Sequence, residues 1–114
     1  MGLKHREYLS VPASNGAGKV FGCRRCKTHL STTDQIESKN FNGQHGRAYL
    51  FKDVVNIETG VPEDRPMTTG LHTVRDVMCA KCGEVLGWKY ADKAYEPSQK
   101  YKEGKFILEK AMTS

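Results

Sequence analysis

Cys23-Arg24-Arg25-Cys26 and Cys79-Ala80-Lys81-Cys82 decide how this chain folds, and between them they hold all four of its cysteines. A C-x-x-C turn aims two sulfurs at one point. Two such turns complete the tetrahedral four-sulfur set that Zn²⁺ prefers, with no position left open for a substrate. The flanks repeat as well. Cys23-x-x-Cys26-x-x-x-Leu30 recurs as Cys79-x-x-Cys82-x-x-x-Leu86, so each pair leads into similar apolar sequence. The expectation is one structural zinc ion held by Cys23, Cys26, Cys79 and Cys82. Two disulfides, or four buried thiols, are the competing readings. A disulfide within one C-x-x-C pair is strained, and cross-pairing does not need this spacing. No apolar run follows Met1-Gly2-Leu3-Lys4-His5-Arg6-Glu7, as a secretory leader would require. An intracellular chain with this pattern is more often a metal protein than a disulfide one. Iron–sulfur clusters also use four cysteines. Paired knuckles far apart in sequence are instead the habit of zinc ribbons.

The 114 residues suffice for one domain with a modest core. Ten aromatic residues and scattered Val, Ile and Leu favour a globular chain over a disordered one. No stretch reaches the roughly 20 apolar residues that cross a bilayer, so no membrane partner is expected. Met1-Gly2 lacks the hydroxyl residue a myristoylation signal wants, because Arg6 stands there. The formal charge is +5. Four thiolates and one dication together subtract two charges, which leaves the zinc-loaded chain near +3. Basic residues also alternate with acids, as in Glu63-Asp64-Arg65 and Lys102-Glu103-Gly104-Lys105. A nucleic-acid binder concentrates Lys and Arg on one stripe, so nucleic acid is not the expected partner.

Residues 1–19, with Ala13-Ser14-Asn15-Gly16-Ala17-Gly18, read as a flexible arm, and residues 20–114 as the domain. Val20-Phe21 starts a strand into the first knuckle. Ser31-Thr32-Thr33-Asp34 offers turn and capping chemistry, and Ser38 to Gly46 reads as a loop. Arg47-Ala48-Tyr49-Leu50-Phe51, running on through Val54-Val55-Asn56-Ile57 with a kink at Lys52-Asp53, is the most strand-like run. Gly60 to Pro66 breaks it. His72 to Met78 alternates as a strand, with His72, Val74, Asp76 and Met78 on one face. Val85 to Tyr90 is another strand, Ala94 to Ser98 a loop, and Lys105 to Glu109 a last strand or short helix. The fold class expected is mostly β, a single domain of antiparallel sheets stapled by zinc. The long segment between Cys26 and Cys79 is then an insert between half-sites, which loop-closure entropy tolerates.

Together these residues resemble the Yippee family. The match runs over about Phe21 to Ala111. It rests on the paired knuckles, Gly46-Arg47-Ala48-Tyr49-Leu50-Phe51, Gly70-Leu71-His72-Thr73-Val74-Arg75-Asp76, Gly87-Trp88-Lys89-Tyr90 and Tyr101 to Glu109. The wording around Gly46 and Asp64-Arg65 is similar to the Yippee-like 5 branch of animals and its fungal counterpart, the Moh1-like proteins. The resemblance implies a β-tent fold, shared with the ligand-binding domain of cereblon and with methionine-R-sulfoxide reductases. It also implies a non-catalytic subunit or adaptor of a GID/CTLH-type ubiquitin ligase, with ligase subunits as partners, in cytoplasm and nucleus.

Trp88, the sole tryptophan, has two readings: a packed aromatic, or the wall of a pocket. In the cereblon relative, aromatic residues cage a cyclic imide. By motif Trp88 and Tyr90 match two cage positions, and His72 lies nearest a third. Such a cage suits a cation or a flat amide, so the alternative function is a reader of a small ligand or degron peptide. Catalysis finds little support. Sulfoxide reduction needs a thiol beyond the metal set, and hydrolytic zinc needs an open position. His29 reads as a neighbour of the metal set, and His45 as a residue of a polar loop. For a protein partner, Trp88, Tyr90, Tyr49, Arg65 and Arg75 are the side chains of the type that dominates interfaces.

Overall fold

The computed structural model of the chain describes residues 19–68, 70–91 and 97–114, with side chains of the last segment from Lys100 onward. Nine strands run through it. They are β1 (Val20–Gly22), β2 (His29–Thr32), β3 (Ile36–Gly43), β4 (Gly46–Phe51) and β5 (Ile57–Thr59). β6 (Glu63–Met67), β7 (Gly70–Cys79), β8 (Val85–Tyr90) and β9 (Phe106–Glu109) follow. Short 3-10 turns occupy Thr33–Gln35, Pro97–Lys102 and Lys110–Met112. The fold is mostly β and wholly antiparallel, as expected. No α-helix occurs among the described residues, and no helix is long and apolar enough to cross a membrane. The arm expected over residues 1–19 lies outside the described residues, save Lys19. So does most of the loop expected over Ala94 to Ser98.

β1 and β2 form a two-stranded ribbon around the first knuckle. The other seven strands form one sheet in the order β3-β4-β9-β8-β7-β5. β6 lies on the same edge of β7 as β5, further along it. Alternation along the strands splits the core in two. Tyr49 and Phe51 of β4, Phe106 and Leu108 of β9, and Val77 of β7 turn toward the ribbon and the cysteines. Ala48, Leu50, Ile107, Val74 and Tyr90 turn the other way. Phe41 from one edge strand and Met67 from the other both pack on that second cluster, so the sheet curls around it.

Three expectations need correction. Ser38 to Gly46 is no loop: β3 covers most of it, paired with β4 and turned at Gln44-His45. The strand is an edge with one packed face, which is why its sequence is so polar. The turn was legible in Gly43-x-x-Gly46, since Gly46 has φ +106°. Second, the run from Arg47 does not continue to Ile57. β4 ends at Phe51 and the chain leaves the sheet. There Val54 is buried among the ribbon residues, and the Val55 N–H donates to the Leu30 carbonyl at 2.8 Å. Third, Glu63 to Met67 is a strand, leaving only Gly60 to Pro62 as the break. Pro66 is tolerated because β6 is an edge and its missing N–H costs no ladder bond.

Candidate metal centre and aromatic cleft

The two knuckles close by one backbone plan. The Cys23 N–H donates to the Thr28 carbonyl at 2.9 Å, and the Lys27 N–H to the Cys23 carbonyl at 2.7 Å. In the second knuckle the Cys79 N–H donates to Glu84 at 2.9 Å and the Gly83 N–H to Cys79 at 2.8 Å. β7 delivers Cys79 and β1 delivers Cys23, both buried; Cys26 and Cys82 are half-buried. The four Sγ atoms lie within 4.8 Å of one another. Across the knuckles, Cys23 Sγ stands 3.6 Å from Cys82 Sγ, and Cys26 Sγ 3.5 Å from Cys79 Sγ. Sulfurs tetrahedral about zinc at roughly 2.3 Å stand about 3.8 Å apart. The observed spacing fits one ion and is far too long for a disulfide. All four cysteines are free thiols.

Considered as free thiols, the four are unequal. Burial pushes Cys23 up to about 12, and raises Cys79 as well. Burial also acts upward on Cys26. There the Thr28 hydroxyl, 3.0 Å from Sγ, the Thr28 N–H and the facing thiols outweigh it and bring the thiol down to about 6. A cation among the sulfurs removes the cost of ionising the buried pair, which is the chemistry zinc supplies here. Asn56, at φ +58°, braces both knuckles: its Nδ2 donates to the His29 carbonyl at 2.8 Å, and its own carbonyl accepts from the Ala80 N–H at 2.9 Å. His29 is outside the ligand set.

The second feature is a cleft of about 670 Å³ on the curled side of the sheet, with Phe41, Trp88, Tyr90 and Tyr101 among its walls. Trp88 is half-buried and its indole stands edge-on to Tyr90 at 6.3 Å between centroids. The indole Nε1 is buried and has no partner at hydrogen-bond geometry among the described residues. His72, the third expected residue, does not line this cleft. It is buried against Tyr90, with ring centroids 5.4 Å apart. Its Nδ1 lies 2.9 Å from the Gly70 carbonyl, which can only accept, so Nδ1 carries the proton. Burial raises the Tyr90 hydroxyl above its usual pKa. Two acids on the cleft wall are already answered. Arg65 Nη2 meets Asp76 Oδ1 at 2.8 Å, and Glu109 Oε1 accepts from the His45 N–H at 2.7 Å. Arg75 donates to the Gly60 carbonyl at 3.0 Å, and Tyr49 packs into the ribbon-side core.

The sequence reading missed Phe41 and Lys102. Phe41 sat in a stretch read as loop. Lys102 is 3% exposed, a burial that no local pattern signals for a lysine.

Fold and centre together define an antiparallel β domain closed by a four-cysteine zinc site. The family profile described as "Yippee zinc-binding/DNA-binding /Mis18, centromere assembly" matches residues 19–114, and the chain belongs to the Yippee family. It is 54% identical to a yippee-like protein of Oryza sativa over 113 residues, 97% of this chain and 94% of the relative. It is 52% identical to Protein yippee-like 4 of Mus musculus over 91 residues, 80% of this chain and 71% of the relative. The crystal structure of the Mis18 "Yippee-like" domain shares the fold at 14% identity and a TM-score of 0.63. That match covers 83% of this chain and 91% of the domain.

Proposed function

We propose that this chain is a non-catalytic, zinc-stabilised interaction module, serving as a subunit or adaptor of a GID/CTLH-type ubiquitin ligase in cytoplasm and nucleus. The observation that carries the non-catalytic part is the closed sulfur set. All four cysteines converge on one point, so the metal has no open position and the chain no spare thiol. The ligase assignment and the placement in the Yippee-like 5 branch rest on the resemblance at Gly46 and Asp64-Arg65. The family description also names DNA binding and centromere assembly. Dispersed charge favours protein over nucleic acid as the partner. Affinity purification from the native cell, with mass spectrometry, tests the proposal. Recovery of ligase subunits, unaffected by Trp88→Ala or by removal of residues 1–18, is expected. Recovery of none of them sinks the ligase reading, and thiol-dependent reduction of methionine sulfoxide above a zinc-stripped control would sink the non-catalytic one.

A second reading draws support from the cleft. A cavity of about 670 Å³ walled by Trp88 and Tyr90 is of the size that receives small ligands or a peptide end. Saturable binding of a labelled peptide library, lost in Trp88→Ala, is its expected signature.

A further inference from the structure

On the ribbon side of the sheet, opposite the cleft, lies a smaller groove of about 330 Å³. Its floor is apolar: Phe21 of β1, Ile36 of β3 and Tyr49 of β4, all part of the ribbon-side core. Its rim is basic. Lys19 before β1, Lys39 of β3 and Lys110 after β9 line it, and all three are exposed. A fourth cation stands beside them, since the Lys27 ammonium approaches the Ser114 hydroxyl, another lining group, at 3.4 Å. No Asp or Glu side chain lines the groove. The acids nearest in sequence are engaged elsewhere: Asp34 accepts from the Thr32 hydroxyl, and Glu37 meets Lys105. The Ser114 main-chain oxygen accepts from the Gly22 N–H at 3.1 Å. Lys19, Lys39 and Lys110 make no ion pair among the described residues. Charge that the sequence scatters over separate elements is gathered by the fold around one apolar seat.

Two of the cations are held in place before any ligand arrives. The Lys19 ammonium stands 4.9 Å from the Phe21 ring centroid, and that of Lys39 5.8 Å from Tyr49, within the roughly 6 Å at which a ring quadrupole attracts an ammonium. That placement lowers the ordering cost of binding an anion. It also covers ring faces on which a nucleotide base would stack, the contact that single-stranded nucleic acid relies on. The rim holds no arginine. A guanidinium fork matches a phosphoryl group, whereas ammonium groups act as separate point charges. Ammonium groups on three elements suit carboxylates spaced along a chain. We propose that the groove docks an acidic peptide segment of a protein partner. An apolar side chain sits over Phe21, Ile36 and Tyr49, and flanking Asp or Glu carboxylates meet Lys19, Lys39 and Lys110. Exposed ion pairs are individually weak, so the apolar seat anchors and the charges select. The chain's own residues 1–18 are not the complementary occupant, since they carry Lys4 and Arg6 against Glu7. The proposal rests on the reading of the chain as an interaction module, and adds a surface and the chemistry of its partner.

The zinc-loaded full chain is titrated, by fluorescence anisotropy, with three labelled peptides blocked at both ends: Glu-Glu-Phe-Glu-Glu, Gln-Gln-Phe-Gln-Gln and Glu-Glu-Ser-Glu-Glu. The first is expected to bind saturably, and the other two about tenfold or more weakly. Lys110→Glu should weaken the first by about tenfold or more. Lys81, exposed on the second knuckle and outside the groove, is the control: Lys81→Glu changes net charge equally and should leave the affinity unaltered. Equal binding of the acid and amide peptides overturns the proposal. So does unchanged affinity in a zinc-loaded Lys110→Glu, and so do equal losses in the two variants, which would trace binding to overall charge. Should Lys110→Glu fail to fold, the acid–amide contrast on the unaltered chain still decides. Displacement of the peptide by a lower concentration of oligothymidylate would assign the groove to nucleic acid and overturn the proposal. Binding that emerges only on removal of residues 1–18 would assign it to the chain's own arm, with the same result. If no peptide binds and affinity purification still recovers ligase subunits, the groove proposal falls and the interaction module stands; if both fail, both fall.

Discussion

The first knuckle, Cys23 to Thr28, and the second, Cys79 to Glu84, make matching turns with matching hydrogen bonds, yet they hang on unlike supports. The second grows from the end of β7, a ten-residue strand with neighbours on both edges. The first sits on the three- and four-residue strands of the β1–β2 ribbon. A two-stranded ribbon alone is marginal in water. What holds it is the chain's other end: Gly22 and Ser114 exchange backbone hydrogen bonds at 3.1 and 2.9 Å, and the Arg24 N–H donates to Met112 at 3.1 Å. Inside the turns the residues differ too. The position four after the leading cysteine is left-handed in both, with φ 68° at Lys27 and 78° at Gly83. Glycine meets that demand without strain, and lysine does not. A metal thus imposes the turn, while the sequence at each turn is free to meet it well or badly.

The largest test breaks both knuckles. Structural zinc binds finger peptides with roughly 10–16 kcal/mol of apparent free energy. A whole domain is stable by about 5–15 kcal/mol. Cys79→Ser is therefore expected to give unfolded or insoluble protein, and Cys23→Ser the same. Metal analysis of the unaltered chain should find one zinc per chain. If Cys23→Ser kept a folded sheet, seen as retained hydrogen-exchange protection in β7 and β8, the ribbon would be a detachable layer and the knuckles unequal in weight.

The next effect belongs to the second knuckle alone. A Cβ on Gly83 would meet nothing within 4 Å, so Gly83→Ala has no clash to confuse it. Its cost is the left-handed backbone, about 1–2 kcal/mol. A thermal or denaturant midpoint measured on zinc-loaded protein checks it. An unchanged midpoint would mean that the turn relaxes once the metal is bound. Gly87, four residues on, is the opposite kind of glycine: a Cβ there would fall 1.9 Å from the Ile107 carbonyl oxygen.

What the sequence disclosed, and what it did not, follows the same division. The metal set was legible because zinc fixes residue type and spacing together. β7 and β8 were legible because β-branched and aromatic residues recur along them, the side chains that fit a pleated surface. The edge strands β3 and β6 were not. An edge needs only one packed face, and β6 even admits Pro66. The cleft was half legible. Trp88 and Tyr90 stand out as large aromatics at alternate positions of one strand. His72 was expected beside them and instead packs behind Tyr90. Lys102 could not be read, because the Phe41 ring it stands over lies about sixty positions away in sequence. Convergence of that kind is a property of the sheet's curl and leaves no local pattern.

The first knuckle offers a smaller test than Gly83. The Thr28 hydroxyl lies 3.0 Å from Cys26 Sγ, and no hydroxyl stands at the matching position, Glu84, of the second. Thr28→Val keeps the shape and removes the donor. A hydrogen bond contributes about 0.5–1.5 kcal/mol, so zinc affinity should fall by a few-fold to about tenfold in competition with a chelator. The same Val at Glu84 should leave it unchanged. Equal losses at both positions would trace the effect to packing and not to the donor.

The smallest effect has the opposite sign, and it decides whether the comparison is sound. Lys27 holds φ 68° at a turn position where its counterpart is glycine. Lys27→Gly relieves the left-handed penalty of about 1–2 kcal/mol. It also adds backbone freedom to the unfolded chain, worth roughly 0.5–1 kcal/mol in the other direction. The exposed ammonium of Lys27 approaches the Ser114 hydroxyl at 3.4 Å, too loose and too wet a pairing for its removal to weigh against either. The net expectation is a gain of about half a kcal/mol, with zinc content unchanged, read as a higher denaturant midpoint at constant slope. A loss would show that Lys27 is held for a stabilising role its backbone strain conceals. A gain, set beside the loss in Gly83→Ala, would show one turn answering to one rule from both ends of the chain.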